Sequence, residues 1–284
     1  MARNPAASTP RTPGFALAAR PAATPNEPER IGVPAARAVV TVLGMLAAWQ
    51  ALVVLFAPPP FILPDPLRVF RSLVERRDLL LAHGLVTIAE ILAGLVLGAV
   101  AGCAFGILVA AWAPARRWLE PLLVGSQALP VFALAPILVL WFGYGFASKV
   151  AMATLVIFFP VAIAAQDGIA RTDPVMVLAA RSLGLSDLQI LRFIRLPLAL
   201  PTIATSLRIA AAIAPIGAII GEWVGAAAGL GFVMLQANAR MQTDLMFAAV
   251  MVLCVIAVAL HRAVGAALDL CLPWIAPPQP GESP

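Results

Sequence analysis

The sequence predicts an all-α integral membrane protein with about six transmembrane helices. Hydrophobic residues make up 62% of the 284 residues and charged residues only 12%, whereas a soluble domain is about 25% charged. The apolar residues also gather in blocks of about 20–25, the length that a helix needs to cross a bilayer. A soluble helical protein is therefore disfavoured, because too few polar residues remain to cover its surface.

Proline residues mark where several of the predicted spans end or bend. The run Pro58-Pro59-Pro60 ends the first span, because proline cannot continue a helix. Pro130 and Pro136 break the third span internally, and a polar stretch separates the fourth span from the fifth. The predicted spans cover residues 38–56, 85–112, 122–141, 150–165, 198–220 and 245–270.

Shorter segments connect these spans. The letters LPDP predict a turn in which Asp65 caps a new helix with Pro66 at its start. Residues 67–79 then carry the pattern of an amphipathic helix that lies on the membrane surface or on the bundle. Residues 113–117 are predicted to form the turn after the second span, and a glycine-rich stretch, residues 221–231, follows the fifth.

The two ends of the chain are predicted to lie outside the transmembrane domain, residues 36–273. Residues 1–35 are rich in alanine, proline and arginine, and we expect a disordered cytoplasmic tail. Residues 274–284 are expected to form a C-terminal tail. The arginines of the short loops favour both termini on the cytoplasmic side.

Composition argues against several other classes of protein. The net charge of +5 comes without a basic helix or patch, so we expect arginines at the lipid headgroups and no nucleic-acid partner. The three cysteines lie in apolar stretches without metal-ligand spacing. His83 and His261 stand far apart, so we expect no metal site and no catalytic cluster.

A polar segment, residues 171–197, carries strong local signals for a helix-turn-helix on the cytoplasmic face. Asp173 and Pro174 predict a helix N-terminus. Gly184 is suited to the left-handed conformation that ends this helix. Ser186 and Gln189 have the spacing of a capping box at the start of a second helix.

The second helix of this segment is predicted to lead into the fifth span. Leu188, Leu191 and Ile194 space an apolar face along it. Pro197 and Pro201 are expected to redirect the chain into the membrane. The whole segment is too polar to be a span of its own.

This segment resembles the cytoplasmic loop of ABC importer permeases, written E-A-A-x-x-x-G-x9-I-x-L-P. Six residues stand at the required spacing: Ala179, Ala180, Gly184, Ile194, Leu196 and Pro197. Leu178 departs from the pattern, because the family usually has glutamate there, which puts in doubt any polar contact of that side chain. The alternative is an ordinary amphipathic loop that packs on the bundle.

The resemblance implies a type I ABC importer permease fold in a bacterial inner membrane. It implies that the loop, with Leu185 and Ser186 at its turn, docks on a separate ATPase subunit and couples ATP-driven motion to a permease homodimer. An extracytoplasmic solute-binding protein is a third implied partner. This chain itself is expected to be no enzyme and to bind no cofactor, since its only lysine, Lys149, stands outside any Gly-Lys-Ser/Thr motif.

The likeness covers residues 63–273 and is similar to permeases for nitrate, sulfonate and taurine. The letters LPDP, ALPVFALAPILVLWFGYG and RTDP carry it. The stretch IGEWVGAAAGLGFVMLQANARMQTDLMFAAV resembles, more narrowly, permeases for hydroxymethylpyrimidine-type thiamine precursors. The expected solute is therefore a thiamine-precursor pyrimidine, with sulfonate, taurine or nitrate as the alternative.

Polar residues inside spans are the candidates for the translocation path, because buried charge is costly in a bilayer. Glu90 lies in the second span and Glu222 ends the fifth; the alternatives are a pairing of Glu90 inside the bundle and an outer-mouth position for Glu222. Gln127, Pro130 and Phe132 are further candidates on the broken third span, where the alternative is simple kinking and packing.

Two rival functions remain at this point. An ion-gradient-driven secondary transporter would show paired membrane acids or broken helices in inverted repeats, and no clear internal repeat is visible. A membrane enzyme would need a convergent catalytic cluster, which the scattered acids and histidines do not offer.

Overall fold

The computed structural model describes residues 32–126 and 130–274. The predicted tails lie outside these residues apart from their innermost positions, and helix α1 already begins at Gly32. The chain divides between Ala48 and Trp49, within helix α1, into two compact units, and the core and the sites described below belong to the second.

Eleven α-helices are formed by the described residues, and these residues contain no strand. A 3-10 turn, Val131–Leu134, precedes the fifth helix, and a π-helical turn, Leu191–Arg195, precedes the ninth. The helices are α1 Gly32–Phe56, α2 Pro66–Glu75, α3 Arg77–Ala111, α4 Ala113–Ser126, α5 Ala135–Phe142, α6 Phe146–Ala170, α7 Pro174–Ser182, α8 Asp187–Ile190, α9 Leu196–Trp223, α10 Leu230–Ala239 and α11 Thr243–Cys271.

The predicted membrane spans are confirmed. Across the described ranges, five helical segments are long and apolar enough to cross a bilayer. The bent pair Ala113–Ser126 and Val131–Phe142, inclined by 98°, brings the number to six when it is taken as one broken span. The predicted interruption of the third span at Pro130 is therefore present. Pro136 stands in the first turn of α5, where its missing N–H is tolerated.

Two of the predicted connections were wrong. The amphipathic helix α2 ends at Glu75, and after a single non-helical residue, Arg76, the chain enters α3 eight residues before the predicted span. Residues 113–117 form the first turn of α4 and are no loop, because Pro114 is tolerated at a helix start. In the first case the start of α3 was assigned to the amphipathic helix, and in the second a proline near a helix start was taken for a loop.

The core of the second unit is a close stack of α3, α6 and α9. A Cβ at Gly98 of α3 would lie 2.8 Å from Ile157 Cβ, and one at Gly102 would lie 2.8 Å from the Phe158 carbonyl oxygen. On the other side of α6, a Cβ at Gly217 of α9 would lie 2.8 Å from Ala153 Cα. Glycines thus let three helix backbones approach closely, as is common in membrane bundles. The sequence signal for this packing, which was not used above, is the four-residue spacing of Gly94, Gly98, Gly102 and Gly106 on α3.

Helix α10 was not predicted, because glycine-rich letters surround its start. Its ten residues span about 15 Å, half of a bilayer core, so it packs within the bundle instead of crossing it. Its buried residues join those of α2, α3, α9 and α11 in one apolar cluster. The buried residues of α10 in this cluster are Leu230, Val233, Met234 and Ala237.

Candidate functional site

The segment predicted as a helix-turn-helix forms a compact hairpin of α7 and α8, called the 171–197 hairpin below. Asp173 Oδ1 accepts a hydrogen bond of 2.8 Å from the Val175 N–H, and Pro174 is the first helical residue. Helix α7 ends at Ser182, and Gly184 just beyond its end has a φ of +84°. There the Leu185 N–H donates to the Ala180 carbonyl (3.2 Å). These contacts confirm the predicted caps.

The turn of the hairpin is held by polar contacts on both sides. The Ser186 N–H donates to Gln189 Oε1 (2.8 Å) and the Gln189 N–H to Ser186 Oγ (3.4 Å), which is the predicted capping box. An ion pair of 2.9 Å joins Arg181 at the end of α7 to Asp187 at the start of α8. These polar contacts hold the two short helices in a fixed relation.

The buried face of the hairpin differs from the predicted one. Val177, Ala180 and Ile190 are buried, with Leu185 and Ile194 packed against them. Leu188, which was predicted on this face, is 73% exposed. Its prediction was wrong because the register of the short α8 turns Ile190 inward. Apolar side chains instead cover the open surface: Val175, Met176, Leu178, Leu183, Leu188 and Phe193.

The predicted redirection at Pro197 and Pro201 is also wrong. Helix α8 passes through the π-helical turn Leu191–Arg195 directly into α9. At this turn the Leu196 N–H donates to the Leu191 carbonyl, five residues back. The hydrogen bond therefore closes a loop of backbone one residue longer than in an α-helix. Pro197 follows at once and has no N–H to donate, so the wide turn removes a conflict that proline creates in a regular helix. Helix α8, the second helix of the hairpin, is therefore continuous with the transmembrane helix α9.

A second site is a buried group of polar side chains from α3, α6 and α9. Glu222 at the end of α9 is 1% exposed, and its Oε1 accepts a hydrogen bond of 2.6 Å from the Thr87 hydroxyl of α3. Its Oε2 accepts the Gly231 N–H, and Thr87 Oγ1 accepts the Leu230 N–H (2.8 Å). Glu222 and Thr87 together therefore cap the N-terminus of α10, where a carboxylate is favoured by the helix dipole.

Glu90 and Lys149 complete this buried group. Glu90 is 2% exposed and lies beside Glu222, and its Oε2 has no hydrogen-bond partner among the described residues. Lys149 is 3% exposed and its Nζ donates to the Gly225 carbonyl (2.8 Å) in the loop before α10. Glu90 is thus buried inside the bundle beside Glu222, and its pairing there stays a prediction. Glu222 does not face an opening, because α10 and its preceding loop cover it.

The remaining path candidates lie apart from this group. Pro130 precedes the 3-10 turn before α5, Phe132 lies within it, and both are exposed. Gln127 lies outside the described residues. The sequence candidates therefore divide into a buried acid pair and an exposed turn, and their role in the path stays a prediction.

An open groove between α6 and α9 carries polar residues that the sequence analysis missed. It measures about 670 Å³, and Pro160, Asp167 and Arg171 line one side. Thr202, Thr205 and Ser206 line the other, and the Ser206 hydroxyl donates to the Pro160 carbonyl (2.9 Å). Three hydroxyls at helical spacing inside an apolar span were the signal, because polar residues in spans face a cavity or a neighbouring helix.

Arg208, one turn further along α9, is held by the last helix. Its Nη2 pairs with Asp269 Oδ1 of α11, and His261 Nδ1 lies 3.0 Å from the Arg208 carbonyl oxygen. These two polar contacts tie α9 to α11.

The described helices include a set of apolar, membrane-length spans, and helix α8 of the 171–197 hairpin continues into one of them, α9. Residues 94–269 match the family described as "Binding-protein-dependent transport system inner membrane component", and the chain belongs to this family. It is a permease subunit of an ABC importer.

Individual relatives agree on the class. The chain is 46% identical over 217 residues, 76% of this chain and 89% of the relative, to a "Probable ABC transporter permease protein" of Haemophilus influenzae. It is 36% identical to the "Formylaminopyrimidine transport permease protein ThiX" of Halalkalibacterium halodurans, over 76% of this chain and 86% of the relative. Relatives at 30–35% identity carry names for riboflavin, taurine and aliphatic sulfonates.

The fold is shared with a solved transporter. An inward-facing structure of the MetNI methionine ABC transporter has a chain that aligns with a TM-score of 0.59 and 21% sequence identity. The alignment covers 70% of this chain and 97% of that one. The predicted type I importer permease fold is confirmed by this likeness.

Proposed function

We propose that the 171–197 hairpin docks on a separate ATPase subunit and passes its motion to the membrane helices. The observation that carries this proposal is the unbroken run from α8 through the π-helical turn into α9. A push on the hairpin then moves α9 as a lever, because no flexible loop lies between them. Alternating access by rigid-body motion needs such a connection.

The open face of the hairpin has the chemistry of a docking surface. Leu178, in the place where the loop family usually has glutamate, is 63% exposed, and Ala179 beside it is also exposed. Small and apolar residues on a capped helix suit insertion into an apolar groove of a partner. The partner we propose is the ATPase, which uses the ATP; this chain hydrolyses none and holds no cofactor.

The groove between α6 and α9 supports a second part of the proposal. Thr202 and Thr205 are exposed there. The Thr205 hydroxyl donates to the Pro201 carbonyl of its own helix (3.0 Å), and lipid offers the Thr202 hydroxyl no hydrogen-bond partner. A water-filled path closed by a second copy of the permease offers hydrogen bonds to both exposed hydroxyls. We therefore propose that this groove, on the same helix that the hairpin moves, forms part of the solute path of a permease homodimer.

For the solute itself we propose a thiamine-precursor pyrimidine, delivered by an extracytoplasmic binding protein. The relative named for formylaminopyrimidine and the resemblance of the segment around Glu222 support it. Sulfonate, taurine or nitrate is the alternative. Uptake of a labelled hydroxymethylpyrimidine and of labelled taurine by cells expressing the complete transporter separates the two.

One observation favours the rival of another class. Glu90 and Glu222 are paired in the bundle, as in transporters driven by an ion gradient. Both oxygens of Glu222 are, however, occupied by Thr87 and by the backbone at the start of α10. Glu222 is therefore a helix cap, and we assign the two acids a structural role instead of a role in ion transport.

The experiment that tests the proposal is reconstitution in membranes with and without the ATPase and the binding protein. We expect solute-stimulated ATP hydrolysis only when all three components are present. Uptake by this chain alone, driven by a proton or sodium gradient, would contradict the proposal. The N-in and C-in orientation stays a prediction and is checked by labelling of single cysteines at the two ends.

A further inference from the structure

A cavity of about 380 Å³ lies where the start of α3 faces α10 and the turn after it. Its walls combine apolar side chains with an unusual set of hydrogen-bond donors. The polar residues that line it are Arg76, His83, Gln236, Arg240 and Gln242. The lining contains no carboxylate. The guanidinium groups of Arg76 and Arg240 therefore share the cavity without a negatively charged side chain beside them.

Neither arginine is neutralised elsewhere in the described part of the chain. The ion pairs formed there involve other arginines, and the neighbour Arg77 pairs with Asp78 at 3.7 Å. Arg76 is the single non-helical residue between α2 and α3, and Arg240 follows the last residue of α10. Two helix junctions therefore direct positive charge into one cavity.

The turn that positions Arg240 is held in a strained conformation. Met241 has a φ of +56°, in the left-handed region that costs a non-glycine residue free energy. The Gln242 N–H donates to the Ala237 carbonyl (2.8 Å) and the Met241 N–H to the Asn238 carbonyl (3.1 Å). This tight helix end turns the chain between Arg240 and Gln242, and both side chains line the cavity.

His83 is oriented to donate as well. Its Nδ1 accepts the Gly229 N–H (2.9 Å), so in the neutral ring the proton lies on Nε2. The ring stacks on Phe232 at a centroid distance of 5.9 Å and an angle of 26°. The hydrogen bond from Gly229 and the stacking on Phe232 thus fix the imidazole, and Nε2 remains available as a hydrogen-bond donor.

We propose that this cavity binds an anionic oxygen group: the phosphate, sulfonate or carboxylate of a small molecule or of a lipid headgroup. Guanidinium groups bind such oxygens with paired, charge-assisted hydrogen bonds. The amides of Gln236 and Gln242 add neutral donors, and Leu79, Phe232 and Leu245 give an apolar wall for the attached carbon chain. This inference does not depend on which solute the importer carries.

A bound anion would restrain the loop before α10. His83 joins the cavity to Gly229, and the next residue, Leu230, is bound by Thr87 of the buried group. The same anion that contacts His83 would therefore hold the start of α10 in the capped arrangement. Occupation of the cavity should raise the thermal stability of the folded protein for this reason.

The test uses the purified full chain in lipid nanodiscs, as wild type and in two variants. Arg76→Gln and Arg240→Gln combined remove both cavity charges, and Arg77→Gln is the matched control outside the cavity. Sodium sulfate, compared with sodium chloride at equal ionic strength, probes a free anion in phosphatidylcholine discs. Phosphatidylglycerol, added in steps and followed by native mass spectrometry and thermal unfolding, probes the lipid source.

We expect saturable binding of one of these probes, weakened about tenfold or more in the double variant and unchanged in Arg77→Gln. Saturation by sulfate assigns a free anion, and saturation by phosphatidylglycerol alone assigns a lipid. Equal binding of both probes by wild type and double variant, or no saturation at all, would overturn the proposal. If the double variant fails to fold, Arg240→Lys replaces it: the charge remains, the paired geometry is lost, and weaker binding is still expected.

Discussion

The Thr87 hydroxyl on α3 donates a hydrogen bond of 2.6 Å to Oε1 of Glu222 on α9. The same oxygen of Thr87 accepts the Leu230 N–H at 2.8 Å, so one side chain links three helices. Both residues are buried, and water has no access to replace these bonds. The pair therefore fixes the position of α10 relative to the bundle.

Thr87→Val keeps the shape of this side chain and removes its hydroxyl. Glu222 then loses a donor and the Leu230 N–H loses its acceptor, both buried, which costs about 1–3 kcal/mol for each group left unpaired. We expect a clearly lower temperature of thermal unfolding in detergent. Thr87→Ser keeps the hydroxyl and is the control. Equal unfolding temperatures of the Val and Ser variants would show that the hydrogen bonds contribute little.

The glycine stripe of α3 gives a second prediction about stability. A Cβ at Gly98 would lie 2.9 Å from the Thr154 carbonyl oxygen as well as 2.8 Å from Ile157 Cβ, so Gly98→Ala must push α3 away from α6. We expect a loss of about 1–3 kcal/mol from this overpacking, measured by thermal unfolding of the purified protein.

Gly265 on α11 is the matched control, because a Cβ there meets no atom within 4 Å. Gly265→Ala should be neutral or stabilising by about 0.5–1 kcal/mol, since alanine favours helix over glycine. A stability loss of equal size at both positions would mean that helix packing is not the cause.

The sequence predicted best what depends on neighbouring residues. The Asp173 cap, the left-handed Gly184 and the Ser186–Gln189 box are local, and all three are present. The apolar blocks likewise predicted the spans, because bilayer thickness alone sets their length. Gly184 and its surroundings therefore needed no tertiary information.

Tertiary partners explain what the sequence did not predict. Glu222 caps a helix that begins eight residues later together with Thr87, which is 135 residues away. Ile190 replaces Leu188 on the buried face because the register of a four-residue helix is set by its partner, α7. The π-helical turn before Pro197 depends on a backbone hydrogen-bond pattern that residue types alone do not indicate.

Gly184 tests whether the hairpin couples ATP hydrolysis to transport. A Cβ at Gly184 would meet no atom within 4 Å, so in this chain the requirement is its φ of +84° and not space. Gly184→Val forces a β-branched residue into the left-handed region, at a cost of about 1–2 kcal/mol. We expect the spans to insert normally and solute-stimulated ATP hydrolysis to fall at least tenfold.

Gly184→Asn separates the two roles of this position. Asparagine tolerates the left-handed conformation but adds bulk to the open face. If the turn conformation alone matters, the Asn variant keeps activity; if the ATPase also contacts this residue closely, the Asn variant loses it too. Normal transport by Gly184→Val, with the ATPase still bound, would contradict the docking proposal.

The groove between α6 and α9 gives the most direct test of the solute path. Thr202→Val and Thr205→Val remove exposed hydroxyls that take no part in the contacts between α6 and α9, so protein stability should change by less than about 0.5 kcal/mol. If these hydroxyls contact the solute in passage, the KM for uptake by the complete transporter rises several-fold, while basal ATP hydrolysis stays unchanged.

Thr154→Val on α6 is the control and should leave the KM unchanged. The Thr154 hydroxyl lies outside the groove and has no partner in the described part of the chain. An identical KM for all three variants would assign the groove to the contact between the two permease copies, because a packing surface tolerates the isosteric change that a solute path does not.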